Sequence, residues 1–148
     1  FRSMATHMNG YTKANTLWLG RRSETKSTDP GRLDNIAAGG ISADETPWVC
    51  AKRELWEEAG VPEQIADQVE PVGRIHMRRP IPARGFHDEQ LYIYDLELPD
   101  HFVPTNHDGE VSGFIEVSLA EAAARILADE FTSDAAFVTA DFILRRNK

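Results

Sequence analysis

The stretch Gly39–Val61, GGISADETPWVCAKRELWEEAGV, constrains the fold more than any other part of the chain. Pro47 suits a first helical turn, Thr46 is placed to cap it, and Gly60 is placed to end it. At about 100° per residue, Trp48, Ala51, Leu55 and Ala59 share one face, which the spacing predicts to be buried. Glu54, Glu57 and Glu58 fall within another arc of roughly 100°. The helix is therefore expected to be two-sided, with a core face and a row of carboxylates. Two charges about 4 Å apart repel by about 1 kcal/mol in water and about 4 kcal/mol at an effective dielectric of about 20. A chain of net charge −8 gains more repulsion there. Either these side chains face water, or something positive stands between them.

Mg²⁺ answers the second case. It takes hard oxygen ligands and keeps waters that a phosphate can displace. Spacings of three and four put the carboxylates on adjacent turns, within reach of one ion or a small cluster. Gly39 and Gly40 supply backbone that approaches closely because no Cβ intervenes, and a carbonyl there is a further candidate ligand.

The whole stretch resembles the Nudix box: Gly, five residues, Glu, seven residues, Arg-Glu, an apolar residue, any residue, Glu-Glu, any residue, Gly, apolar. Those places hold Gly39, Glu45, Arg53, Glu54, Leu55, Glu57, Glu58, Gly60 and Val61. From average residue usage, chance agreement at one start is on the order of 10⁻⁹. The resemblance implies a Nudix fold, α/β (α+β) in class, with a mixed β-sheet sandwiched between helices and the box as a loop-helix-loop. It implies that Glu54, Glu57 and Glu58 bind divalent metal, Mg²⁺ with Mn²⁺ as a substitute. Glu45 and Arg53 are expected to support the site, Arg53 either by a bidentate grip on a carboxylate or by touching substrate. Leu55 and Val61 are expected in the core. The implied reaction is hydrolysis of a diphosphate linked to another moiety. For the general base, "NHDGEV" offers Asp108 and Glu110; Glu110 is preferred, with Glu57 as the alternative, and Asp108-Gly109 also reads as a plain turn.

Further blocks, "HMNGY", "LWLGRRSETKSTDPGRLDNIAAGG", "YDLELPDHFVPTNHDGEV" and "DFILRR", resemble the thiamin pyrophosphokinase-related Nudix hydrolases. That resemblance implies thiamin diphosphate and its oxidised analogues as substrates, giving monophosphates. Nucleoside-diphosphate-X or sugar-nucleotide hydrolysis is the alternative, and a non-catalytic Nudix-fold binding module is a third reading. Members commonly carry a further region ahead of "HMNGY", where six residues stand here. Arg22, Lys26 and Arg32 either catch the diphosphate or form a solvated basic loop. The same run occurs in isopentenyl-diphosphate-isomerase-like Nudix proteins, which need a catalytic cysteine in its own loop; Cys50 lies inside the box helix and reads as packing.

The remaining chain reads as one domain over residues 1–148. Strands are expected at His7–Tyr11, Leu17–Gly20, Val72–Met77, Gln90–Leu98 and Val111–Val117, and helices at Leu119–Ala128 and Ala135–Arg146. A helical turn is expected near "PEQIADQ", a loop over Arg21–Asn35, and a short apolar lead-in at Ile36–Ala38. Trp56 is expected to be partly buried against the sheet. Tyr92, Tyr94 and Phe86 read as core or as a stacking surface, and His76, His87 and His107 lack metal-ligand spacing. With 24 Asp and Glu against 16 Lys and Arg, nucleic acid is not an expected partner. No run approaches the ~18 apolar residues of a membrane span, so no membrane is expected either. The expected partner is a small-molecule diphosphate; nothing in the sequence fixes a homo-oligomer. The single cysteine allows no intrachain disulfide, which fits the cytoplasm, or an organelle, as compartment. An opening Phe1, with Met4 and Met8 as internal starts, fits a fragment or a processed form.

Overall fold

The structure is a computed structural model, and it describes residues 2–147. At its centre lies β1 (Arg2–Tyr11), buried continuously from Ala5 to Gly10. A strand covered on both faces has no polar alternation, which explains that run. β1 pairs in parallel with β6 (Gly85–Glu97), from Arg2 opposite Asp88 to Tyr11 opposite Glu97. β6 in turn pairs antiparallel with β5 (Glu70–Ile81).

The other edge of β1 is shared. Ala5–Met8 pair with β4 (Ala37–Gly40), while Gly10 and Tyr11 pair with β2 (Thr16–Arg22). β3 (Leu33–Asn35) pairs with Leu19–Arg21 of β2. The 33–40 segment therefore fills the gap where β1 and β2 part, and it carries Gly39 and Gly40 beside the centre of the sheet. β7 (Val111–Ser118) pairs along the rest of β2. The sheet is thus mixed, as expected.

Helix α1 (Pro47–Ala59) covers one face. Its Ala51, Leu55 and Ala59 join Met8, Ile36, Val61, Leu96 and Leu98 in a core cluster. Leu55 and Val61 are fully buried, as expected. Truncating such a leucine to alanine costs about 2–5 kcal/mol. The short α2 (Glu63–Ala66) follows. α3 (Leu119–Leu127) and α4 (Ser133–Arg146) cover the opposite face, with Phe142, Phe131 and Ala135 against Leu17, Leu19 and Leu33.

The ends of α1 follow the sequence cues. Thr46 Oγ1 accepts from the Val49 N–H at 3.2 Å. Gly60 turns left-handed at φ 67°, and the Val61 N–H reaches back to Leu55 O at 3.0 Å. A Cβ at Gly60 would stand 2.8 Å from Thr105 O, so glycine also admits the neighbouring loop.

Five expectations change. The lead-in before Gly39 is the strand β4, and the expected 21–35 loop loses its ends to β2 and β3; pieces of three or four residues show no readable alternation. Trp48 is not core: it is 42% exposed, with the Lys52 ammonium 4.3 Å from its ring centroid. Trp56 is half exposed and stacks on His107, with ring centroids 4.6 Å apart, rather than on the sheet. Trp56 lies outside the buried arc, which is rotated toward the glutamates; Trp48 falls within it by angle but stands in the first turn of the helix. Cys50, Ala51, Glu54, Leu55 and Ala59 bury an arc of roughly 180° that includes Glu54 and overlaps Glu58. The helix is not divided into a core face and a carboxylate face; two of the three glutamates point inward.

Candidate functional site

Arg53 organises the outer half of the site. Its guanidinium donates to both oxygens of Glu45, from Nε at 2.7 Å and Nη2 at 2.9 Å. Its Nη1 donates to Glu54 Oε1 at 2.7 Å and to Glu57 Oε2 at 3.2 Å. The planar fork of arginine suits this bidentate hold. Hydrogen bonds from Arg53, then from the Ser42 N–H, hold the Glu45 carboxyl down at about 2.

The inner half is less compensated. Burial pushes Glu54 up to about 7 despite Arg53. Burial likewise pushes Glu58 well above the usual carboxylate range, although its Oε1 accepts from the Ala38 N–H at 2.8 Å. Asp34, Glu54 and Asp108 add like charge around Glu58. Gly39 lies against Glu54: a Cβ there would stand 2.5 and 2.7 Å from its two carboxylate oxygens. The Gly39 carbonyl also takes long side-chain contacts, from Thr6 Oγ1 at 3.5 Å and Cys50 Sγ at 3.8 Å. Cys50 itself is fully buried.

A loop from the far half of the chain closes over the end of α1. The Thr105 N–H donates to Ala59 O and the His107 N–H to Glu57 O, each at 2.9 Å. Asn106 Nδ2 donates to Glu58 O at 3.0 Å and to Asp108 Oδ1 at 2.9 Å. Asp108 Oδ1 also accepts from the Glu110 N–H at 2.9 Å. Asp108-Gly109 is thus a turn, yet the turn delivers carboxylates to the helix. Among the described residues, Glu58, Asp108 and Glu110 offer oxygens all within 4.8 Å of one another. Asp108, the less favoured acid of its loop in the sequence, is thus brought beside Glu58, and the Asn-x-Asp-Gly pattern fixes its direction. Glu54 and Glu57 stand outside that group of three, Glu57 drawn toward Arg53.

The basic residues divide. Lys26 Nζ lies 3.2 Å from Glu110 Oε1, at the rim of the site. Arg22 lines an open cleft of about 450 Å³ that also takes in His7, Gly39, Gly40, Glu89 and Asp134, but its guanidinium is held by Thr28 and Asp34. Arg32 points elsewhere: its Nη1 donates to the Asp129 and Phe131 carbonyls at 2.6 and 3.0 Å, tying β3 to the segment before α4. The expected role of Arg32 at substrate is replaced by this structural one. His7, Glu89 and Asp134 carried no signal as site residues beyond the place of His7 in "HMNGY".

The donor set is all carboxylate, partly buried and under-neutralised, which fits a hard divalent cation better than a soft one. Among the described residues no helix is long and apolar enough to cross a membrane. Comparison with known proteins agrees with this picture. Nudix hydrolase 24, chloroplastic, of Arabidopsis thaliana is 39% identical over 145 residues, covering 95% of this chain and 40% of that protein. Nudix hydrolase 20, chloroplastic, of the same plant is 39% identical over 143 residues, covering 94% of this chain and 38% of that one. The chain thus spans about two fifths of the length of these curated relatives. The crystal structure of DR0079 from Deinococcus radiodurans superposes with a TM-score of 0.77 at 23% identity, covering 94% of this chain and 82% of that one, a likeness of fold. The NUDIX domain family profile matches residues 8–141, spanning β1 to α4, so the loop-helix-loop with its inward glutamates is that of a family member, and this chain belongs to the NUDIX domain family.

Proposed function

We propose that the chain is a Mg²⁺-dependent diphosphatase, with Mn²⁺ as a substitute, that hydrolyses small organic diphosphates to monophosphates. Thiamin diphosphate and its oxidised analogues are the preferred substrate class. The observation that carries the reaction is the meeting of Glu58 on α1 with Asp108 and Glu110 on the loop that caps it, Glu54 and Glu57 standing on the same helix. Resemblance of the blocks around the box supports the thiamin class. The names of the two plant relatives place those proteins in chloroplasts, so an organelle stands beside the cytoplasm as compartment.

Glu54, Glu57 and Glu58 would hold the metal, with Asp108 adjoining. When bound, Mg²⁺ supplies charge neutralisation and Lewis acidity at the diphosphate. The residues then position and polarise. Water adds to one phosphorus, the bridging P–O bond breaks, and the products are the organic monophosphate and inorganic phosphate. Glu110 receives the water's proton, with Glu57 as the second candidate. Lys26 holds Glu110 at the rim. Arg53 keeps the carboxylates of Glu54 and Glu57 from splaying apart.

The test is monophosphate formation across a panel of diphosphates with and without Mg²⁺. Turnover of thiamin-type diphosphates that needs the metal is expected. No turnover of any member with Mg²⁺ or Mn²⁺ would leave a binding module. Preference for nucleotide-linked diphosphates would overturn the substrate class alone.

A further inference from the structure

A buried polar relay crosses the core and ends at His7. Arg145 on α4 grips Asp95 on β6, from Nη1 at 2.6 Å and Nη2 at 3.2 Å. Asp95 Oδ1 accepts from Asn9 Nδ2 at 3.0 Å. The Asn9 carbonyl oxygen must then face Asn35, whose Nδ2 donates to it at 3.4 Å and to Thr139 Oγ1 at 3.0 Å. That leaves Asn35 Oδ1 toward His7, 2.8 Å from Nδ1. An acceptor there requires a proton on Nδ1, so in the neutral ring Nε2 is a bare acceptor. The His7 side chain is 7% exposed, and Nε2 has no partner among the described residues. Yet His7 lines the cleft beside Gly39 and Gly40.

The other end of the cleft is also an acceptor. Ser3 stands four residues from His7 on β1, roughly 13 Å away, and lies opposite Glu89 on β6. Glu89 faces Asp134 at the start of α4. Glu89 Oε1 and Asp134 Oδ1 are both buried without a hydrogen-bond partner. Arg79 Nη2 comes no nearer than 3.6 Å to the first and 4.0 Å to the second. Burial, then Asp134, pushes Glu89 up to about 7, so at pH 8 its carboxylate is ionised and the pair stands as an acceptor short of donors. A cleft of about 450 Å³ is within the range for small ligands.

We propose that this cleft takes the non-phosphate half of the substrate, a heterocyclic moiety that carries N–H donors or positive charge, with His7 Nε2 accepting near the glycine pair and the Glu89–Asp134 pair accepting at the far wall. It rests on the diphosphatase reading for the orientation of the substrate, the diphosphate lying toward α1. A moiety that is neither cationic nor a hydrogen-bond donor would leave both acceptors desolvated and unpaired, which is how a polar site rejects it.

The experiment uses ligands without phosphate and no metal, so hydrolysis is not needed. Thiamin and adenosine are titrated separately into the full chain at pH 8 by calorimetry, with the 4′-desamino analogue of thiamin as control. In ¹⁵N-histidine-labelled protein, His7 Nε2 is expected to show the unprotonated resonance and to move on saturation with the probe that binds. Glu89→Gln is expected to weaken that probe at least tenfold. Thiamin binding at least tenfold tighter than its desamino analogue identifies the thiamin-type source; binding of adenosine instead identifies a nucleobase. Binding of neither probe, an unmoved Nε2 at saturation, or unchanged affinity in Glu89→Gln would overturn the proposal. Ring binding without turnover of any diphosphate would instead overturn the enzymatic reading and leave this one standing.

Discussion

Arg53 and Glu45 are joined by two parallel hydrogen bonds of 2.7 and 2.9 Å, and the same guanidinium touches Glu54 and Glu57. One cation therefore sets three carboxylates. Lysine keeps the charge but cannot reproduce the fork. Arg53→Lys is expected to lose about 1–3 kcal/mol of stability. It should also lower kcat about 10- to 100-fold, as misdirected glutamates cost orientation. Thermal unfolding and single-substrate kinetics check both; wild-type values in both would remove Arg53 from its organising role.

Gly39→Ala is a steric test. The new methyl would stand 2.5 and 2.7 Å from the Glu54 oxygens, whereas one at Gly40 meets nothing within 4 Å. We expect Gly39→Ala to cost about 1–3 kcal/mol and Gly40→Ala to stay within about 0.5 kcal/mol of wild type. Displacing Glu54 should also cut turnover about 100-fold. Equal melting temperatures for the two variants would contradict the close approach.

Glu58 predicts opposite effects with and without metal. Its folded-state pKa is raised, so its contribution to stability is full at low pH and is lost as pH rises. Glu58→Gln keeps an oxygen for the Ala38 N–H and removes the buried charge. Without metal at pH 8, the variant should therefore melt higher than wild type, by about 1–3 kcal/mol. Mg²⁺ at about 100 times its Kd should stabilise wild type by about 2.7 kcal/mol and the variant by much less, with turnover nearly abolished. Equal magnesium shifts in both would remove Glu58 from the cation site.

Much of the box is legible in the sequence, for a local reason. Thr46, Pro47 and Gly60 act on backbone within one turn, and the three-and-four spacing of Glu54, Glu57 and Glu58 is a helix property. The helical wheel misleads at Trp48, because angle alone does not say which turns of α1 overlie the sheet, and Trp48 stands in the first. β4 is illegible because Ala37–Gly40 becomes a strand only by pairing with Ala5–Met8. Arg32 looks like its basic neighbours until Asp129 and Phe131, about a hundred residues on, claim it. The Glu89–Asp134 pair joins two acids that share no motif.

That pair predicts a pH dependence of its own. Glu89 is raised to about 7 from an ordinary 4.5, so its stabilising contribution is full below about pH 4.5 and disappears as pH climbs through 7. Discounted for solvent screening and for sharing with Asp134, the loss is roughly 1 kcal/mol. Urea unfolding at pH 5 and pH 8 should show it in wild type on top of the losses at Glu54 and Glu58, and Glu89→Gln should reduce the difference by about that amount. A pH 5 to pH 8 difference equal to that of wild type would assign the effect elsewhere.

The central parallel ladder joins residues more than 80 positions apart, as the Ser3–Glu89 and Asn9–Asp95 bonds show. During synthesis α1 leaves the ribosome well before β6 exists to complete the platform beneath it. Until then its glutamates are hydrated and ordinary. High contact order makes that closure a late and slow event. The nascent chain therefore passes through a stage in which the acidic helix cannot concentrate charge, and the cluster of Glu58, Asp108 and Glu110 assembles only once the second half of the polypeptide has folded against the first.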